Sequence, residues 1–90
     1  MTMDEAEARA RAEEFARSTI KRWDEWRCEL RLWEPPKLVG SYGYSWCPTT
    51  LDPQGRPVRV GGNLPILVDR DTGECRQVRG MEEYRKLSGK

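Results

Sequence analysis

Two acids, a glycine pair and a thiol are the residues whose types and spacing invite a chemical reading. Asp69, Asp71 and Gly73 stand in the D-x-D-x-G order of a calcium loop, inside the stretch GGNLPILVDRDTGE from Gly61 to Glu74. An EF-hand loop needs a bidentate Glu at its twelfth position and a helix on each side. Counted from Asp69, that position is Gly80, and the apolar run PILV precedes the loop. The plainer reading is a turn whose Asp and Thr side chains bond the backbone, with Gly73 supplying a positive φ. These acids point to a turn, and no metal site is expected.

The pair Gly61-Gly62 raises a second chemistry, a backbone cradle for phosphate. Such cradles gather N–H groups at a helix N-terminus, whereas a strand-like run follows this pair. Neither G-x-x-x-x-G-K-[ST] nor G-x-G-x-x-G occurs, and two glycines before a strand serve equally as a bulge or tight lead-in. Cys47 beside Trp46 could be a reactive thiol, but the chain holds no histidine to act as its base. The same lack removes Ser–His pairs. A lone cysteine in a strand is more simply a small buried hydrophobe. No catalytic residue and no cofactor is expected, and the chain reads as a non-enzyme.

The elements that must carry these residues fit in one small domain. Ninety residues with 37% hydrophobic and 34% charged side chains allow a core, but a thin one. Four Trp, three Tyr and one Phe supply much of its bulk. Sixteen basic against fifteen acidic residues leave a net charge of +1. A nucleic-acid partner asks for a clear basic excess, so none is expected. Arg56, Arg59, Arg70, Arg76 and Arg79 thicken the second half, but Asp69, Asp71 and Glu74 dilute them. Cys28, Cys47 and Cys75 are odd in number and not paired in spacing, which argues against a disulfide framework. The chain shows no signal-peptide h-region and no apolar run long enough to span a membrane. The expectation is a reduced, cytoplasmic protein without a membrane partner.

Residues 1–23 read as an amphipathic helix. Thr2 and Glu5 have capping-box spacing, acids fill the first turn, and Lys21 and Arg22 are placed in the last. Glu5–Arg9, Glu7–Arg11 and Glu13–Arg17 are i,i+4 pairs. Ala8, Ala12, Phe15, Ala16, Thr19, Ile20 and Trp23 make one stripe at helical period. An Ala-rich stripe suits packing on a sheet better than binding a membrane, because each methyl yields little transfer energy. From Trp26 the period becomes two: Trp26, Cys28, Leu30 and Leu32 alternate with Arg27, Glu29 and Arg31, as in a half-buried strand that EPPK stops. A second strand covers SYGYSWCPT, with Tyr42, Tyr44 and Trp46 on one face and its end at Pro48 on an edge or bulge. Asp52-Pro53-Gln54-Gly55 is a turn. PILVD and ECRQV form a hairpin, and Met81, Tyr84 and Leu87 mark a short last helix. The fold class is α+β: a long N-terminal helix packed on an antiparallel sheet of about four strands, followed by a short C-terminal helix, as a single domain over residues 1–90.

The grouping GN-x-P-x-x-V-D-x-x-T-G-E, carried here by Gly62, Asn63, Pro65, Val68, Asp69, Thr72, Gly73 and Glu74, resembles the C-terminal signature of the immunity protein 35 family, the YrhB-like domains. Those domains also place an N-terminal helix and an aromatic-rich strand before it and a short helical tail after it. YGYSW and MEEYRKL are the counterparts here, although GYSWCP departs from the longer hydrophobic run usual in the family. The resemblance implies a cytoplasmic antidote that binds and blocks a cognate toxin protein in a bacterial toxin–immunity system. The alternative it implies is a stand-alone, heat-stable, chaperone-like protein of the YrhB type. Neither brings catalytic residues. Asn63 and Pro65 would set the start of the strand, and Asp69 to Gly73 would close the hairpin.

A binding surface should carry exposed aromatics and arginines. Trp26, Trp33, Tyr42, Tyr44 and Trp46 are too many for so small a core. Trp33 falls on the Arg27–Glu29–Arg31 face, where it either contacts a partner or covers the EPPK corner. Arg27, Arg31 and Glu34 would form its charged rim. A homodimer through the edge left by Pro48 stays open.

Overall fold

The computed structural model describes residues 3–58 and 63–89. Its elements run α1 (Glu5–Thr19), β1 (Glu29–Trp33), β2 (Ser41–Cys47), β3 (Ile66–Asp69), β4 (Cys75–Gln77) and α2 (Gly80–Ser88). The strands form one antiparallel sheet in the order β1-β2-β3-β4, so the expected α+β architecture is the one observed.

Asp4 caps α1, its carboxylate accepting the Glu7 N–H at 2.8 Å. The cap is therefore not Thr2, which lies outside the described residues. Glu5–Arg9, Glu7–Arg11 and Glu13–Arg17 all form along the exposed side of the helix. Ala8, Ala12 and Ala16 are fully buried on the other side. Three methyls in line let the helix axis come close to the strands beneath.

The helix ends four residues earlier than its periodicity suggests. Ile20 is extended at φ −99°, ψ 102°, while its N–H still reaches the Ala16 carbonyl. Thr19 is exposed, Lys21 and Arg22 lie in the turns that follow, and Arg17 is the basic residue of the last turn. The exit brings Trp23 into the core against Trp46, with ring centroids 6.0 Å apart. Arg17 ties the helix end to this turn through Asp24 at 2.6 Å.

β1 likewise starts later than expected. Trp26 and Cys28 sit in the preceding turn, and the Trp26 carbonyl accepts from the Thr49 and Thr50 N–H groups. Leu30 packs on the core, but Leu32 is 41% exposed. The reason is reach: α1 lies on β2, β3 and β4 and leaves β1 outside its shadow. β2 is an interior strand, paired with β1 along its length and with β3 over Ser41–Tyr44.

The core between α1 and the sheet holds Tyr44, Trp46, Ile66 and Val68 with the alanines and Trp23. Tyr42 and Tyr44 donate their hydroxyls to the Met3 and Glu5 carbonyls, fastening the first turn of α1 to the central strand. Met3 also donates its N–H to the Arg70 carbonyl. The expected turn at residues 52–55 forms, with the Asp52 carboxylate accepting from the Gln54 and Arg56 N–H groups.

Candidate functional site

Four residues in register cross the sheet on the face turned away from α1: Trp33, Gly43, Leu67 and Arg76. Strand parity puts Glu29 and Arg31 beside Trp33, and Ser45 and Cys47 beside Gly43, on this same face. The Trp33 indole lies over Gly43. A Cβ there would stand 2.6 Å from the Trp33 carbonyl oxygen and 2.9 Å from the ring. The absent side chain is the space the indole occupies.

α2 lies against this row and is attached through its middle and its last turn. Tyr84 stacks on Trp33, with centroids 5.3 Å apart and planes within 8°. Across the sheet Glu83 takes a two-pronged bond from Arg76, at 2.8 and 2.9 Å, and accepts the Arg79 N–H at 2.6 Å. The Arg76 guanidinium and then that backbone N–H hold the Glu83 carboxyl at a pKa of about 2. The Lys37 N–H donates to the Leu87 carbonyl, tying the last turn to the loop after β1. Leu67 and Val78 are buried on this side, yet no residue of α2 itself is buried.

A cleft of ≈ 350 Å³ remains between α2 and the sheet. It is lined by Trp33, Ser45 and Trp46 of the sheet, by Asn63, Leu64 and Pro65 before β3, and by Met81 and Tyr84 of α2. None of these is an acid or a basic residue. The polar groups are tied to one another: Trp46 donates its indole N–H to the Leu64 carbonyl at 3.0 Å, and Asn63 donates its amide to the Trp46 carbonyl at 3.1 Å. Ser45 donates to the Arg31 carbonyl at 3.4 Å. Flat rings, a flexible thioether and a few satisfied polar groups suit holding an apolar group.

Comparison with family models, with curated proteins and with solved structures finds no match. The site is therefore read from its own residues.

The structure brings some of the expected partner-binding residues together and disperses others. Trp33 lines the cleft and stacks on Tyr84. Arg31 is the cross-strand neighbour of Ser45 and flanks the cleft. Arg27 lies away in the turn before β1, at φ 49°, its carbonyl accepting from the Thr49 hydroxyl. Tyr44 is wholly buried under α1, which corrects its placement on a partner surface, while Trp46, nearly buried, reaches the lining of the cleft. The parity that aligns Tyr42, Tyr44 and Trp46 points them at the helix. Burial, and then the Glu5 charge, push the Tyr44 phenol up to about 12. Tyr42 is half-buried beneath the Arg70 guanidinium, 4.3 Å from its ring centre.

Of the motif residues, Gly62 lies outside the described residues. Pro65 is buried, and its carbonyl accepts the Val78 N–H. Asp69 accepts from the Thr72 and Asp71 N–H groups at 2.9 and 2.8 Å, bonds that lower its pKa. Gly73 has φ 77°, and a Cβ there would meet the Arg11 guanidinium at 2.7 Å. Among the described residues no group of three or more Cys, Asp or Glu converges on a metal-sized site, and no helix is long and apolar enough to cross a membrane. Burial pushes the Cys28 and Cys75 thiols up, away from the reactive thiolate.

Sequence reasoning missed Gly43, Ser45, Tyr84 and Met81 as parts of one site. Met81 and Tyr84 were visible as an apolar stripe on a short helix. Nothing in that stripe says that Tyr84 meets Trp33, fifty-one positions earlier.

Proposed function

We propose that this chain is a non-enzymatic binding protein of the immunity type, an antidote that neutralises a cognate bacterial toxin by direct contact. The observation that carries the binding part is the aromatic cleft beneath α2. It presents the residue types that anchor protein interfaces, Trp and Tyr, in a concave site free of charged lining. The toxin as partner class comes from the resemblance of residues 62–74 to the immunity protein 35 signature. Their β3–β4 hairpin supports one wall of that cleft.

Co-expression with the toxin encoded beside it tests the reading. Restored growth and a complex that co-elutes on a sizing column support it. Persistent toxicity with no complex overturns it. Suppression of aggregation of unrelated proteins at equimolar amounts would instead mark the chain as the chaperone-like alternative.

A further inference from the structure

We propose that the cleft beneath α2 grips one aromatic side chain from an exposed loop of the partner protein, next to an acidic residue that pairs with Arg31. The partner's origin rests on the antidote reading; the chemistry of the grip does not.

Size gives the first constraint. Small-ligand pockets begin at roughly 300 Å³, and this cleft has ≈ 350 Å³. That is room for a single large side chain. The lining gives the second. Trp33 and Tyr84 present flat rings, Met81 an adaptable thioether, and Ser45 a hydroxyl, a set that favours stacking against an aromatic ring.

Charge gives the third constraint. Arg31 is exposed, lies on the cleft face one strand over from Ser45, and joins no ion pair among the described residues. Glu29 shares that face and forms no ion pair with it among the described residues. By contrast Arg76, on the opposite edge strand, is already spent on Glu83. Among the described residues Arg31 is thus an unpaired cation beside a cleft with no charged lining, so the complementary segment carries its acid adjacent to the aromatic anchor.

α2 gives the last. It is attached at Tyr84, Glu83 and Leu87 and buries no residue of its own. Its Met81 rim, 55% exposed, can shift without opening the core.

The test titrates the ¹⁵N-labelled chain with three probes: acetyl-tryptophanyl-aspartate amide, acetyl-tryptophanyl-lysine amide and indole. Expected are saturable amide shifts confined to Ser45, Asn63, Leu64, Met81 and Tyr84, with the aspartate peptide about two- to fivefold tighter than the lysine peptide, as for an exposed ion pair. Arg31→Glu should reverse that preference. Met81→Asp should weaken both peptides on the order of tenfold by charging an apolar wall. It sits in the first turn of α2, where an acid suits the helix dipole, so the variant should stay folded.

Shifts that do not saturate, or that fall on the α1 side, overturn the proposal. So does indole binding as tightly as the aspartate peptide, or cleft shifts that follow the chain's own concentration and mark a second copy as the occupant. In co-expression the two readings separate. If Arg31→Glu and Met81→Asp rescue as fully as the parent chain, the cleft is not the grip and the antidote reading stands. If the parent fails to rescue but the peptides saturate with the Arg31 preference, the grip stands and the antidote reading falls.

Discussion

α1 and α2 cover opposite faces of one sheet, and they do so by different physics. Under α1, three alanines bring helix and strands together, Tyr44, Ile66 and Val68 lose all contact with water, and two tyrosine hydroxyls find carbonyls at and just before the helix start. Under α2, one ring stack and one ion pair hold a helix with no buried residue, and a cleft remains. The first arrangement draws on apolar burial and close packing, which lose several kcal/mol when a core side chain is truncated. The second draws on a few discrete contacts worth about 1 kcal/mol each. One side of the sheet is thus committed to stability, and the other keeps a cleft.

The sharpest way to break this contrast is in the α1 face. Tyr44→Ala should destabilise the protein by about 3–5 kcal/mol, read as a lowered urea midpoint, since it empties the largest fully buried side chain. A cost below about 1 kcal/mol would mean that this face does not carry the fold. Next comes the seam between the faces. Gly43→Ala forces a methyl against the Trp33 backbone and ring, and should cost about 1–3 kcal/mol while displacing the Trp33–Tyr84 stack in near-UV circular dichroism.

On the α2 face the effects should be smaller and local. Tyr84→Ala should cost about 1–2 kcal/mol and speed hydrogen exchange of α2 amides, leaving Ala12 and Ile66 protected. Equal acceleration on both faces would erase the distinction drawn here. Acid should act in the same place. Glu83 has its pKa depressed from 4.5 to about 2, so its contribution is present above 4.5 and is lost as pH falls toward 2. Tyr84 and Trp33 fluorescence should change in that window, and Glu83→Gln should remove much of the transition. The smallest effect is expected at Glu7→Gln, about 0.2–0.5 kcal/mol for an exposed i,i+4 pair.

The elements of the fold were largely legible, because each is written in local terms. The alanine stripe has helical period, β2 alternates aromatic with small residues, and Asp69 to Gly73 carry their own turn chemistry. Boundaries were less legible. The apolar stripe runs on through Trp23, but the helix stops at Thr19 because Trp23 is placed by its contact with Trp46. The assignment of Tyr44 to a binding surface failed for a related reason. Aromatic residues in a strand look alike whether they face a helix or a partner, and only the position of α1 distinguishes the two.

By itself the sequence determined the order of helix and strands, the hairpin closed by Asp69 and Gly73, and a chain without histidine chemistry, since these depend on residue type and short spacing. Only the tertiary structure decided which sheet face is filled and which keeps a cleft. That outcome turns on pairings such as Trp33 with Gly43 and Tyr84, or Arg76 with Glu83, which join distant positions. Such contacts follow from how the sheet register and the two helices fit in space, and no local pattern encodes them.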